Sequence, residues 1–99
     1  MFVAFSVNGV LIRLTEERMK HIFSRHPEMQ NRTEKILETI SDPDIIQEGD
    51  FGALLAIKRY EDKYLVVVYK EVSREDGFVL TAYFAKHLNP KRKIILWKR

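Results

Sequence analysis

Two short apolar segments at the start of the chain, residues 2–7 and 10–14, are separated by Asn8 and Gly9. Asn-Gly readily supplies the two positive φ angles that a tight two-residue turn requires. The chain is therefore predicted to begin with a β-hairpin.

The next part of the chain has the period and the boundary residues of two helices. Thr15 offers an N-cap hydroxyl, and Pro27 disfavours helical geometry in the residue before it, so a first helix is predicted over residues 16–25. A second helix is predicted over residues 32–40, where the apolar residues form one stripe and Ser-Asp-Pro follows. The two helices are expected to pack side by side.

Four later segments are rich in β-branched and aromatic residues and are separated by short polar connections. These segments are residues 51–60, 63–72, 78–84 and 93–98. Short connections favour antiparallel pairing, so a β-meander of about four strands is predicted. The whole chain, residues 1–99, is then a single α+β domain in which the N-terminal hairpin and both helices pack on one face of the meander.

The composition indicates one small domain with a basic surface. The 99 residues are 45% hydrophobic, which is enough for one core, and a net charge of +3 permits a polyanionic partner without requiring one. The lack of cysteine excludes disulfide scaffolds and thiolate nucleophiles and agrees with a reducing compartment. Because no apolar run is long enough to span a bilayer and no export leader is evident, a cytoplasmic protein without a membrane partner is predicted.

The first predicted helix concentrates groups that can transfer protons and bind anions. His26 falls within the apolar stripe at the helix end and is expected to approach the sheet. His21 is expected at the rim of the groove that helix and sheet would enclose. It belongs to a cationic face formed by Arg18, His21 and Arg25. The alternatives for His26 are a buried histidine hydrogen-bonded to a backbone carbonyl, or a helix-terminus residue favoured by the helix dipole. The alternative for His21 is an ordinary surface histidine.

The predicted strand over residues 78–84 carries two hydroxyl groups close together. Because side chains alternate along a strand, Val79, Thr81 and Tyr83 are expected to share one face. The other face would then carry Leu80, Ala82 and Phe84. A Thr-x-Tyr pair is common on half-polar sheet surfaces, so it becomes a candidate site only where it meets the helix with the histidines.

Histidines, fixed cations and hydroxyls are the groups that RNA cleavage without a metal requires. Attack by the 2′-hydroxyl needs a base for its proton, an acid for the 5′-oxygen, and donors for the phosphate. Histidine serves as acid or base, while Thr81 can donate to the phosphate and Tyr83 can stack on a base. Glu28 is a further candidate base unless it is a solvated charge. The candidate catalytic residues are His21, Arg25, His26, Thr81 and Tyr83.

A second set of residues is expected to bind the RNA backbone. This set comprises Arg18, Lys58, Lys70, Lys86, His87, Lys91 and Arg92. Near the C-terminus, basic residues are mixed with Tyr83, Phe84 and Trp97, a combination that suits nucleic acid. The alternative for this tail is a solvated final hairpin whose charges protect an edge strand.

Other chemistries find no support in the residue spacing. The three histidines are not at a zinc-ligand spacing, so no metal site is expected. The glycines are isolated and form no phosphate-binding loop, and no serine lies in a nucleophile-elbow context. No cofactor is predicted.

Two stretches of the chain resemble a known group of nucleases. They are residues 14–28, Leu-Thr-Glu-Glu-Arg-Met-Lys-His-Ile-Phe-Ser-Arg-His-Pro-Glu, and residues 79–84, Val-Leu-Thr-Ala-Tyr-Phe. With the Asp-Pro-Asp that closes the second helix and the long apolar strands, they are similar to the phage- and mobile-element-associated nucleases of the barnase, EndoU, colicin D and RelE-like group. The likeness covers most of the chain.

The resemblance implies both a fold and a site. In that group, a helical layer with histidine and basic residues faces an antiparallel sheet that supplies Ser or Thr and an aromatic residue. The positions it implies here are His21 or His26 with Arg25, a strand lysine that is Lys58 or Lys70, and Thr81 with Tyr83.

The leading hypothesis is a metal-independent endoribonuclease that leaves a cyclic phosphate, either a toxin of a toxin–antitoxin pair or a phage-borne enzyme. Its expected partners are tRNA or mRNA, together with an acidic antitoxin or immunity protein that covers the basic site. The second hypothesis is a catalytically inactive RNA-binding or protein-interaction module of the same fold. RNA cleavage by the purified protein distinguishes the two.

Overall fold

The computed structural model describes residues 1–88 and 94–99 of the chain. The two helices, α1 (Glu16–Arg25) and α2 (Thr33–Ser41), agree with the predicted bounds to within one residue. The strands in this part of the chain are β1 (Phe2–Phe5), β2 (Leu11–Leu14), β3 (Ile45–Glu48), β4 (Leu54–Tyr60), β5 (Lys63–Glu71), β6 (Asp76–Ala85) and β7 (Ile95–Lys98). Pro27–Met29 and Asp50–Gly52 form short 3₁₀ turns.

All of these strands join one seven-stranded mixed sheet in the order β1-β2-β6-β5-β4-β3-β7. β2 and β6 are parallel, and the other neighbouring pairs are antiparallel. β4, β5 and β6 are antiparallel neighbours as the sequence predicts. The predicted four-strand count is wrong, because the sequence reading omits β3 and the N-terminal hairpin belongs to the same sheet. β7 pairs with β3 at the far edge rather than forming a final hairpin beside β6.

The first hairpin is present, but its turn differs from the predicted two-residue form. The Ser6 carbonyl accepts a hydrogen bond from the Gly9 amide at 2.9 Å, and the Ser6 amide donates to the Val10 carbonyl at 2.9 Å. Gly9 has φ of 79°, whereas Asn8 is not among the positive-φ residues of the described chain. The loop therefore has three residues and needs a left-handed conformation only at its glycine.

β4 begins three residues later than the sequence predicts because a tight turn precedes it. The Gly49 amide donates to the Ala53 carbonyl at 2.9 Å, and Gly52 has φ of 80°. Between them, Phe51 has φ of 54° and is 96% exposed. Phe51 therefore belongs to the turn and not to strand β4, and it does not pack in the core.

The helices cover one side of the sheet, the covered face. The buried core there contains residues of the first hairpin, both helices, the Pro27–Met29 turn and strands β4 to β6: Val10, Ile12, Leu14, Ile22, Met29, Ile36, Ile40, Ala56, Leu65, Val67, Tyr69, Val79 and Ala82. The opposite side, the open face, has a smaller cluster of Leu55, Ile57 and Val66. Tyr83 and Leu88 pack against this second cluster. Within the described residues, no helical side chain belongs to it.

A bulge in β6 changes which of its side chains share a face. Thr81 pairs with Val68, but Val79 pairs with Tyr69, so Leu80 is an extra residue on β6. Val79 consequently lies in the core of the covered face. Thr81 and Tyr83 share the open face by alternation, so the prediction that Val79 lies beside them is wrong.

Tyr69 buries a hydroxyl that the fold does not satisfy. The residue is fully buried, and its phenol oxygen has no hydrogen-bond partner within the described residues. Burial, together with the negative charge of Glu71, raises the pKa of Tyr69 well above its usual range. The phenol therefore stays neutral in the folded protein at pH values where an exposed tyrosine ionises.

Tyr69→Phe is expected to raise the free energy of unfolding by about 1 kcal/mol at neutral pH, since it removes a buried hydroxyl whose desolvation nothing offsets. Above about pH 10 the difference should widen. There the unfolded wild-type chain releases the phenol proton while the folded protein retains it, so wild-type stability falls as pH rises. Urea unfolding at neutral and alkaline pH measures both effects.

Tyr60→Phe is the matched control. The Tyr60 hydroxyl accepts a hydrogen bond from Arg32 Nη1 at 2.7 Å, so its removal should cost about 1 kcal/mol. Equal losses of stability at Tyr60 and Tyr69 would contradict the view that the Tyr69 hydroxyl is unsatisfied.

Candidate functional site

The outer edge of β6 is where the first helix meets the sheet. β2 pairs with β6 only through the register from Asp76 to Phe78. Beyond that point, no strand of the described chain pairs with this edge. Arg18, near the start of α1, instead donates from Nη1 to the Leu80 carbonyl at 3.3 Å. Helix α1 therefore runs alongside the free edge of β6, with its C-terminal end near Tyr83.

His26 lies at that C-terminal end and contacts groups from two elements. Its ring centroid is 5.8 Å from that of Tyr83, with an interplanar angle of 35°. Its Nδ1 is 3.8 Å from Oε2 of Glu28, and its side chain is 32% exposed. The imidazole is thus held between a phenol ring and a carboxylate while it stays accessible to solvent.

Local sequence explains this placement of His26. The residue is the C-cap of α1, where its amide donates to the Ile22 carbonyl at 2.7 Å. Pro27 then begins a 3₁₀ turn, and the His26 carbonyl accepts from the Met29 amide. Because backbone bonds on both sides hold His26, its side chain projects towards the sheet as the helix period predicts.

Thr81 and Tyr83 bring two hydroxyls to the open face. They pair with Val68 and Val66 of β5, and both are partly exposed. Neither hydroxyl makes a hydrogen bond within residues 1–88 and 94–99. Both are therefore available to an external phosphate or nucleotide.

A shallow depression of about 220 Å³ adjoins Tyr83 on the open face. Its apolar floor is the cluster of Leu55, Ile57 and Val66. The depression is lined by Gln47, Leu55, Ile57, Val66, Tyr83, Ala85, His87 and Leu88. His87 thus borders the same depression as Tyr83, whereas His26 contacts the Tyr83 ring directly.

One predicted cation, Lys70, lies on the same face of the sheet as Thr81 and Tyr83. Lys70 follows buried Tyr69 on β5, so the alternation of side chains places it on the open face. Its ammonium lies next to Gly52, 3.9 Å from the position that a Cβ on this glycine would occupy. Arg25 and Lys86 are exposed. None of these three has an ion-pair partner in the described part of the chain.

Other predicted residues are not brought to the group. His21 is exposed and lines a separate surface depression with Thr15, Glu17 and Arg18. Lys58 points to α2, where its ammonium donates to the Asp42 carbonyl at 2.7 Å and lies 3.1 Å from the Asp42 carboxylate. Lys91 and Arg92 lie outside the described residues.

The expected groove between helix and sheet is replaced by two adjoining surfaces. The helices pack on the covered face, while Thr81 and Tyr83 lie on the open face, so only the free edge of β6 lets α1 reach Tyr83. Sequence reasoning also omitted Gln47, because strand β3 was not predicted. The one signal for it is a polar residue directly after two isoleucines.

In the described part of the chain, no group of three or more His, Asp or Glu side chains is arranged to hold a metal ion. Neither described helix has the length and apolar content that a membrane crossing needs. Comparisons with protein-family models, with curated proteins and with solved structures give no match to this chain.

Proposed function

We propose that the protein is a metal-independent endoribonuclease that cleaves RNA through its own 2′-hydroxyl. The observation that carries this proposal is the contact between His26 and Tyr83, with Glu28 beside the imidazole, at the edge of an open face that presents Thr81. A proton-transfer group, an anion to orient it and free hydroxyl donors are the parts that this chemistry requires.

In the proposed reaction, His26 accepts the proton of the 2′-hydroxyl. The 2′-oxygen attacks the adjacent phosphorus, the bond from phosphorus to the 5′-oxygen breaks, and that oxygen takes a proton from a second group. The products are a 2′,3′-cyclic phosphate and a 5′-hydroxyl. His87 is the proposed acid, because it borders the depression that Tyr83 also lines.

The surrounding donors would bind the phosphate. Arg25 is the last residue of α1 and directly precedes His26. Thr81 lies two residues before Tyr83 on β6. Lys70 on the open face and Lys86 just after β6 have no ion-pair partner among the described residues. Charge-assisted hydrogen bonds from such groups strengthen as negative charge builds on the phosphate.

From the sequence resemblance and the α+β architecture we also propose membership of the RelE-like group of nucleases, although the Thr-x-Tyr pair does not face the helical layer as the resemblance implies. Helices cover one face of the sheet and leave the Thr-x-Tyr pair accessible on the other. On this proposal the protein acts in the cytoplasm on tRNA or mRNA, as a toxin or a phage-borne enzyme. An acidic antitoxin or immunity protein would then cover the proposed site on the open face.

Binding of RNA without cleavage is the second candidate function. It is favoured by the separation of His21 from the open face, which leaves His26 as the histidine in direct contact with Tyr83. Salt-dependent RNA binding without any product would support this candidate. Absence of both binding and cleavage would leave a role in binding a protein partner.

Incubation of purified protein with labelled tRNA or mRNA in EDTA tests the proposal directly. Fragments that end in a cyclic phosphate are expected. Intact RNA after prolonged incubation, or fragments that end in a 3′-hydroxyl, would reject the proposed reaction.

Thr81→Val is expected to lower kcat/KM for RNA by about 10- to 100-fold, the effect of losing one hydrogen bond to a charged group. Valine keeps the β-branched shape, so the strand should be retained. Cleavage kinetics and thermal unfolding measure the two effects. Thr33→Val, at the start of α2 and away from the open face, is the control and should leave kcat/KM unchanged.

A further inference from the structure

Gln47 is a buried residue whose side-chain amide lines the depression on the open face. It is 5% exposed, and no side-chain hydrogen bond satisfies its amide within the described residues. Two other buried polar residues are satisfied, since Ser6 donates to Glu71 and Thr39 donates to the Lys35 carbonyl. The amide atoms themselves are not enclosed, because the Tyr69 hydroxyl is the enclosed side-chain atom without a partner among the described residues. The Gln47 amide therefore reaches the depression that it lines, where its donors and acceptor are available to a ligand.

The surroundings of Gln47 suit a flat, mostly apolar ligand. Gln47 pairs with Leu55 across β3 and β4, so its side chain shares the open face with the apolar floor. The ring of Tyr83 and the imidazole of His87 also line the depression. The described lining residues include no lysine, arginine, aspartate or glutamate, so this part of the depression is poorly suited to a phosphate.

We propose that this depression binds an adenine base of the RNA and that Gln47 determines base preference. The inference rests on the proposed endoribonuclease function and adds the identity of a base next to the cleaved bond. The base would lie on the apolar floor against Tyr83, while its sugar and phosphate extend towards Thr81 and His26.

Adenine is the base that an amide side chain recognises with two hydrogen bonds. The Gln47 amide offers one acceptor oxygen and two donor hydrogens, which match the adenine N6 amino group and a neighbouring ring nitrogen. Each such bidentate pair discriminates against the wrong base by about 5- to 150-fold. Stacking on Tyr83 adds affinity without base preference, because every base has a π face.

Two substitutions at Gln47 separate recognition from folding. Gln47→Leu replaces the unpaired amide with an apolar group of similar size, so the thermal unfolding midpoint should be unchanged or higher. Gln47→Glu replaces the donor with an acceptor and should shift preference from adenine towards cytosine, whose amino group can donate to a carboxylate. Gln30→Leu, at an exposed position, is the matched control.

The test uses short oligoadenylate, oligocytidylate and oligouridylate RNAs. Cleavage is measured on the natural RNAs, and binding is measured on 2′-O-methyl versions that cannot be cleaved through the 2′-oxygen. The wild-type protein and the Gln30→Leu variant should prefer oligoadenylate by about 5- to 150-fold. Gln47→Leu should bind and cleave the three RNAs with similar efficiency.

The outcomes distinguish this inference from the function on which it rests. Cleavage that depends on His26 but shows no base preference, or a preference that Gln47→Leu leaves intact, overturns the adenine pocket and retains the nuclease. Oligoadenylate binding that Gln47→Leu weakens, without cleavage by any variant, supports the pocket and removes the nuclease. Loss of the folded state in Gln47→Leu would contradict the claim that the amide is unpaired.

Discussion

Replacing His26 by alanine is expected to lower the rate of RNA cleavage by about 10²- to 10⁴-fold, the usual contribution of a positioned general acid or base. The imidazole contacts Tyr83 and Glu28 where α1 reaches the open face. Its loss therefore removes the proposed base and both of these contacts. Single-turnover cleavage of a labelled RNA measures the effect. The side chain is partly exposed, so the variant should unfold at nearly the wild-type temperature.

His21→Ala is the control for this experiment. His21 occupies the same helix but lines a separate depression, so its removal should leave cleavage near the wild-type rate. Equal losses of activity from His21→Ala and His26→Ala would contradict the proposal that His26 is the general base.

Gly77→Ala is expected to destabilise the fold by about 3–5 kcal/mol, at the upper end of single substitutions. A Cβ on Gly77 would meet the Lys70 carbonyl oxygen, Ile12 Cδ1 at 2.7 Å, and the Glu71 Cα at 3.2 Å. Two of these three atoms belong to the backbone of β5, which cannot move without breaking its pairing with β6. Gly77 lies where β6 pairs with both β2 and β5, so strain there weakens the pairing of β6 with both neighbouring strands.

Gly9→Ala provides the comparison for Gly77→Ala. Gly9 has φ of 79° but open space around its Cβ position, so the cost there is conformational only, about 1–2 kcal/mol. Urea unfolding of both variants separates steric from conformational cost. If Gly77→Ala proved no more destabilising than Gly9→Ala, the close approach of β5 and β6 at this point would be wrong.

Part of the candidate site follows from short-range rules alone. Pro27 ends α1 at His26, and the helical period then places His26 on the side of the apolar stripe, where the structure has it beside Tyr83. Alternation along β6 likewise predicts that Thr81 and Tyr83 share a face. Each of these inferences needs only neighbouring residues, within one helical turn for His26 and two positions along the strand for Thr81 and Tyr83.

Other parts of the site depend on contacts that no local pattern records. The bulge at Leu80 moves Val79 to the covered face, and its sequence resembles an ordinary strand. Lys58 has the same chemistry as Lys70, yet alternation on β4 directs it to Asp42 on the helix side. Gln47 becomes significant only because it lies opposite Leu55 and near Tyr83 in the folded sheet.

Local patterns are enough to predict the helices, the presence of the first hairpin and the strands β4, β5 and β6, because caps, proline, glycine and side-chain period act within a few residues. The parallel pairing of β2 with β6, the position of β7 beside β3 and the location of the candidate site on the open face emerge only in the folded chain. Those features arise from pairing between distant segments, where many registers bury similar apolar surface and the three-dimensional packing selects one.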